Sequence, residues 1–292
     1  MELVRLGEKT YYIKNRTNIG VYKIDSENVY LIDTGNDSDA GKKILKIIEE
    51  NGWTVKGIIN THSHADHIGG NSLIQEKTNC PIYLHGIEKG FTEYPILEPA
   101  FLYGAFPLAP LQNKFLLAKE SKVEAIENHL PEGLEMIHLK GHSYDMIGIK
   151  TSDNVYFLGD ALLNEETILK YHLFFLYDVK EFLNTLDFLN TLDGSFYIPS
   201  HGEATSDISS LISLNRGKVL EITEKIMEFC ETEKTFEEIL KHMFDVYNRT
   251  ININQFVLLG SVVRAYLSYL YNEGKMDYSF HENQMFWIVK KS

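Results

Sequence analysis

A chain of 292 residues, 44% apolar and 24% charged, is long enough to bury a full core and has the ordinary composition of a globular protein. Its formal net charge of −13 opposes binding to phosphate backbones unless cations gather locally. The two cysteines, Cys80 and Cys230, lack metal or redox spacing and read as reduced core residues, and with no apolar leader and no membrane-length uncharged stretch the expected address is the cytoplasm, with no membrane partner.

Residues 2–34 read as short strands: Thr10-Tyr11-Tyr12-Ile13, then 18–24, then Val29-Tyr30-Leu31-Ile32, which ends in Asp33-Thr34-Gly35. Residues 39–51 space Ile44, Leu45, Ile47 and Ile48 among lysines and glutamates and close at Gly52, which predicts an amphipathic helix. A buried strand at 55–60 runs into Thr61-His62-Ser63-His64-Ala65-Asp66-His67-Ile68-Gly69-Gly70. That run lies on a strand-to-helix loop, where α/β folds place chemistry. After a strand at 81–85, residues 91–118 break the alternation with six aromatic residues and prolines at 95, 99, 107 and 110. They read as an irregular lid or binding loop, or equally as a packed surface excursion.

Regular structure returns with a strand at 134–139, followed by Gly141-His142-Ser143. A hairpin over 147–150 and 155–158 ends in Gly159-Asp160, and an aromatic patch at 171–177 precedes a helix over 179–192. A strand at 196–198 then runs into Pro199-Ser200-His201-Gly202. Beyond about residue 206 the pattern is helical, with candidates at 211–231, from the capping box Thr235-Phe236-Glu237-Glu238, and at 254–272, before a hairpin over 275–289. Three helices and a hairpin resemble a winged helix. Residues 207–292 hold ten Lys and Arg against twelve Asp and Glu, and the third helix carries only Arg264, too few cations for a groove-reading helix. Packing, dimerisation or pocket covering is the favoured role.

His62 and His64, two apart in an extended segment, project to one side and can hold one cation, while Asp66 and His67 turn the other way. Imidazole suits zinc and other borderline divalent ions, and a carboxylate balances charge, so the run offers ligands for two neighbouring ions. His142, Asp160 and His201 stand at the ends of predicted strands, each beside a glycine that lets the backbone turn sharply. Five histidines and two aspartates are enough for two metals.

Asp33, His62-x-His64-x-Asp66-His67, His142, Asp160 and His201 in this order resemble the metallo-β-lactamase superfamily over residues 10–205. The resemblance implies an αββα sandwich; with the elements above, this gives a catalytic domain over residues 1–205, with 91–118 as an aromatic lid or insertion, and a winged-helix-like domain over 206–292. It further implies two divalent ions, zinc first with iron or manganese as alternatives. His62, His64 and His142 would bind one, Asp66, His67 and His201 the other, and Asp160 would bridge. Asp66 would also orient or deprotonate the attacking water, which two cations make acidic near neutral pH. Asp33 would hold a histidine or the loop by hydrogen bonds; as a helix cap or turn residue it reads nearly as well. His85, at a strand end near this face, is a further candidate support, and His138, inside a strand, reads as packing.

Hydrolysis of a small ester, thioester or related acyl substrate leads, with the glyoxalase II branch as the guide. Ala161-Leu162-Leu163-Asn164-Glu165-Glu166 lacks the Gly-x-Gly-Arg of that branch, however, which leaves the substrate open. A β-lactamase is disfavoured for want of an export signal. A nuclease or phosphodiesterase and an iron-dependent persulfide dioxygenase are the alternatives, the first opposed by the acidic charge. A metal-bearing regulator is opposed by the weak basic count.

Overall fold

Alternation along the first strands divides their side chains between two cores, and the layers of the fold follow from that division. In the computed structural model, which describes residues 1–291, β1 (Glu2–Arg5), β2 (Thr10–Lys14), β3 (Ile19–Lys23) and β4 (Asn28–Ile32) form an antiparallel meander. α1 (Ser38–Glu50) crosses to β5 (Thr54–Ile59), parallel to β4. α2 (Ala65–Ile68) and α3 (Asn71–Thr78) lead to β6 (Ile82–Leu84), and α4 (Glu88–Glu93) and α5 (Leu97–Tyr103) precede β7 (Glu124–Ala125), the last of seven strands in sequence order.

The second sheet contains β8 (Leu134–His138), β9 (Ile147–Thr151) and β10 (Val155–Phe157), with β9 antiparallel to both its neighbours. α6 (Glu165–Tyr171) and α7 (Val179–Leu189) intervene before β11 (Phe196–Ile198) joins β10 in parallel.

Ile13, Val21, Leu31 and Ile58 turn toward Ile44 and Ile48 of α1 and Ile74 of α3, whereas Tyr12, Tyr22, Ile32 and Ile59 turn toward Ile147, Ile149, Phe157 and Ile198 of the second sheet. One residue's step along the strand separates the two sets, as the pleat requires. Beyond the second sheet, Tyr156 and Tyr197 meet Val179, Phe182 and Leu186 of α7. The order helix, sheet, sheet, helix is the expected αββα sandwich. Each fully buried aliphatic side chain stabilises it by about 1.5–3 kcal/mol.

α8 (Ser209–Phe229), α9 (Phe236–Val246), α10 (Ile253–Asn272) and the hairpin of β12 (Met276–His281) and β13 (Gln284–Val289) follow the predicted element order. Ile222 and Ile226 of α8, Leu240 of α9 and Val263 and Leu267 of α10 continue the same apolar core that seats α7. Among the described residues no helix is long and apolar enough to cross a membrane.

Residues 91–118 are less irregular than their sequence suggests. α4 and α5 lie there, with Pro95 just ahead of α5 and Pro99 in its first turn, where a missing backbone N–H costs least. Leu102, Leu111 and Leu116 pack on Val257 of α10, which favours the packed reading, yet Phe106 and Phe115 stay 77% and 74% exposed. α6 escaped the sequence analysis because only Ile168 of its seven residues is buried; Asn164 starts it by accepting from the Thr167 N–H at 2.8 Å.

Candidate metal centre

The histidine run leaves β5 through Asn60 and Thr61, and Asp33 at the end of β4 fastens it. Its carboxylate accepts from the Thr61 N–H and Oγ1–H, each at 2.8 Å, and lies 2.8 Å from Nδ1 of His67. Asp33 takes a left-handed φ of 62° and is 2% exposed, so it is neither a free turn residue nor the cap of α1, which is Asp37. Gly69 and Gly70 let α2 and α3 sit on the backbone of residues 34–36. A Cβ at Gly69 would stand 2.3 Å from the Asn36 carbonyl carbon, and one at Gly70 2.5 Å from the Thr34 oxygen.

Hydrogen bonds on the outer side of the rings fix which nitrogens face inward. Thr61 Oγ1 spends its proton on Asp33, so at 3.0 Å it accepts from Nδ1–H of His62. Nδ1 of His142 donates to the Phe175 carbonyl at 3.0 Å and Nδ1 of His201 to the Arg16 carbonyl at 2.8 Å. Nε2 of His62, His142 and His201 is thereby aimed into the centre, and Asp33 aims that of His67.

Three groups there could hold a metal ion: His62 with His64 and His142, Asp66 with His67 and His201, and His62 with His67 and Asp160. In the first, Nδ1 of His64 lies 3.0 Å from Nε2 of both His62 and His142. In the second, Oδ2 of Asp66 lies 3.3 Å from Nε2 of His201 and 3.8 Å from that of His67. Asp160 reaches both triads, with Oδ1 3.3 Å from Nε2 of His67 and Oδ2 3.4 Å from Nε2 of His142 and of His201. Every residue predicted as a ligand is therefore in one cluster.

Nε2 of His67 and Oδ1 of Asp160 are buried without a hydrogen-bond partner, a costly arrangement that bound cations would relieve. Lone pairs of nitrogen and oxygen converging at these spacings fit divalent ions of the zinc type.

Electrostatics separates the triads. Burial pushes His62 well below its usual range, His64 down to about 4 and His142 to about 3, so all three are neutral at pH 7. Burial also works against charge on His67 and His201, but the Asp160 and Asp66 carboxylates overcome it, raising His67 well above its usual range and His201 to about 12. Both carboxyls are in turn held below the usual range by these imidazolium rings, against the opposing effect of burial.

Several supports were not visible in the sequence. Glu88, 1% exposed, accepts from the N–H and Oγ–H of Ser63, from the Ser143 hydroxyl at 2.7 Å and from the Asp145 N–H at 3.1 Å. One carboxylate thus ties the His62–His64 loop to the His142 loop. Glu98 of α5 approaches Nε2 of His64 to 3.9 Å, its carboxyl pushed up to about 8 by burial and then by the nearby Glu88 charge. Asn215 of α8 accepts from the Leu163 N–H at 3.1 Å and donates to its carbonyl at 2.8 Å, pinning the loop after Asp160. By local spacing alone Glu88 and Glu98 look like surface charges and Asn215 like any helix residue.

Other expectations are corrected. His85 pairs with Glu127 at 2.6 Å and its ring lies 4.9 Å from His138, apart from the metal cluster; His138 is exposed rather than packed, because β8 borders its sheet. Gly141 needs its φ of 115°, since a Cβ would meet the Phe182 N at 2.2 Å, but Gly202 needs neither a left-handed φ nor extra space.

The model of the metallo-beta-lactamase superfamily matches residues 13–201. Among curated proteins the chain is similar to the probable metallo-hydrolase YqgX of Bacillus subtilis (strain 168), 28% identical over 142 residues that cover 48% of this chain and 64% of that protein. It is also similar to a hydroxyacylglutathione hydrolase of Rhodospirillum rubrum, 44% identical over 46 residues, 16% of this chain and 18% of that protein. The chain spans less than two thirds of the length of the first curated relatives it matches, between 62% and 66%. A solved beta-lactamase domain protein from Burkholderia ambifaria shares the fold, with a TM-score of 0.74 at 17% identity over 99% of this chain and 94% of that one. A match running from β2 to the last histidine of the cluster, on this sandwich, means that the chain belongs to the metallo-beta-lactamase superfamily.

Proposed function

We propose that the protein is a metal-dependent hydrolase of small acyl substrates, an ester, a thioester or a related compound. His62, His64 and His142 would hold one divalent ion and Asp66, His67 and His201 a second, with Asp160, in reach of both triads, available to either. The observation that carries this reading is the inward convergence of nitrogen lone pairs around the buried, unpartnered Nε2 of His67 and Oδ1 of Asp160. Zinc is the ion this donor set suits first, with iron and manganese as alternatives. The short similarity to a hydroxyacylglutathione hydrolase supports an acyl substrate.

A bound pair of divalent ions supplies Lewis acidity and makes water a usable nucleophile near neutral pH. The chain's own groups set the geometry. Asp33 and the Phe175 and Arg16 carbonyls lock the ring orientations of His67, His142 and His201. Asp66, 43% exposed and steadied by the Thr17 hydroxyl at 3.1 Å, turns a carboxylate to the open side, where it orients water and takes its proton. The water oxygen bonds to the carbonyl carbon, the C–O or C–S bond breaks, and the leaving alcohol or thiol takes the proton. The C-terminal helices serve this centre by bracing the segment over residues 102–116 and the loop at Leu163.

The test is metal analysis of protein purified without added metal, followed by a panel of thioester, ester, lactone, lactam and phosphodiester substrates. Up to two ions per chain and turnover of an acyl substrate that His64→Ala abolishes are the expected results. Turnover unchanged in His64→Ala, or a phosphodiester preferred, overturns the proposal.

A further inference from the structure

A cavity of about 820 Å³ opens on the second triad, with Asp66 and His201 in its wall. Lys14, Arg16, Lys114 and Lys170 line it too, a local reversal of sign in a chain with a net charge of −13. Glu166 and Glu203 are the other acidic residues of the wall. Lys14 is paired with Glu203, and Lys114 lies 3.6 Å from Asp37. Arg16 and Lys170 make no ion pair among the described residues, which leaves two cations uncommitted beside the reaction centre.

Both uncommitted cations stand on fixed backbone. The Arg16 carbonyl accepts from His201 at 2.8 Å, and the Lys170 carbonyl accepts from the Arg249 guanidinium at 2.7 Å. The backbone from which each side chain springs is therefore fixed at the wall of the cavity, and the charge rides on an exposed arm that reaches into it. Two aromatic rings join them on the same wall: Phe115 is 74% exposed and Tyr171 is 44% exposed, with Nζ of Lys170 4.9 Å from the centre of the Tyr171 ring. Apolar surface left open inside a charged cavity is stabilised when a ligand covers it.

We propose that this cavity selects acyl substrates carrying an anionic group, a carboxylate or a phosphate, away from the scissile bond. Arg16 and Lys170 receive the anion, and Phe115 and Tyr171 cover the adjoining apolar or flat portion. The proposal rests on the hydrolase reading above. Cations with aromatic rings also suit a single nucleic acid strand, but such a strand leaving the cavity would run along an acidic protein. A small anion, which need not extend beyond the cavity, is the occupant that this local excess of cations favours.

The experiment has two arms, run on the wild type and on Arg16→Gln/Lys170→Gln, whose replaced side chains are exposed. In the first, metal-loaded protein hydrolyses matched thioesters of one neutral thiol, acetyl against succinyl, and acetyl pantetheine against acetyl phosphopantetheine. A wild-type preference for either anionic member of about tenfold in kcat/KM, weakened by salt and lost through KM in the variant, is expected. In the second, metal-free protein is titrated by calorimetry with 4-phenylbutyrate, phenyl phosphate, 4-phenylbutanol and an eight-nucleotide oligouridylate. Binding of an anion, carboxylate and phosphate being separated by the two probes, with about tenfold loss in the variant, is expected. Equal rates on neutral and anionic thioesters, or anion binding unchanged in the variant, overturn the subsite while the hydrolase reading stands. Anion binding without hydrolysis of any acyl substrate overturns the hydrolase reading instead, and tighter binding of the oligouridylate overturns the choice of a small substrate.

Discussion

His62, His64 and His142 are three neutral rings, at most 18% exposed, enclosed by α5 and Phe175, whereas Asp66, His67 and His201 mix a carboxylate with two protonated rings beside an open cavity. Both triads grow from one loop, so their difference comes from what the rest of the chain brings to them. On the first side it brings apolar burial and Glu88; on the second it brings Asp33 and an open cavity. A buried set of uncharged imidazoles is ready for a cation at any pH above about 4. A charged set must first surrender protons.

The largest effect expected from breaking this pair is at His142, whose Nε2 faces both His64 and Asp160. His142→Ala should lower kcat/KM by about 10³-fold or more and remove at least one ion per chain, measured by steady-state kinetics with metal analysis. Retention of both ions would undo the grouping of ligands.

Next comes pH. His67 and His201 carry protons in the metal-free protein, since their folded values lie above the ordinary 6.5. Their contribution to the stability of that state is full below the unfolded value and disappears as pH rises through the folded one. Metal uptake displaces these protons, so affinity at the second triad should rise by up to about 100-fold per pH unit, while the first triad stays nearly level above pH 5. Calorimetry in buffers of different ionisation enthalpy counts the protons released; equal pH dependence of both ions would cancel the distinction.

Glu88→Gln keeps the shape of the clamp but weakens its four charge-assisted bonds. Metal affinity at the first triad should fall about 10–100-fold with less change at the second, as read by competition with a coloured chelator. Smaller still is Glu98→Gln, read as thermal stability of metal-free protein. The wild-type carboxyl titrates near 8 when folded and near 4.5 when unfolded, so its cost is absent below pH 4.5 and complete above pH 8. The variant should be more stable than wild type at pH 9, by on the order of 2 kcal/mol, and equal to it at pH 4.

The sandwich was legible because period-two strands and a 13-residue amphipathic helix leave marks in any window of sequence. The ligand cluster was legible for a chemical reason: histidine and aspartate at strand ends have few other uses in such density. What stayed hidden depends on contacts across long separations. Glu88 meets Ser143 across 55 residues and Asn215 meets Leu163 across 52, and no local pattern announces either. α5 was hidden because prolines and aromatics mimic a loop, and Leu102 gains its packing from Leu111, Leu116 and, far away in sequence, Val257 of α10.

Asn215 clasps both peptide groups of Leu163, three positions past Asp160, from a helix outside the sandwich. Any sideways slip of α8 would drag that peptide with it and shift the Asp160 carboxylate. The C-terminal third is for this reason a calibrating strut: sequence drift in α8 can retune where Asp160 sits without touching any histidine of the cluster.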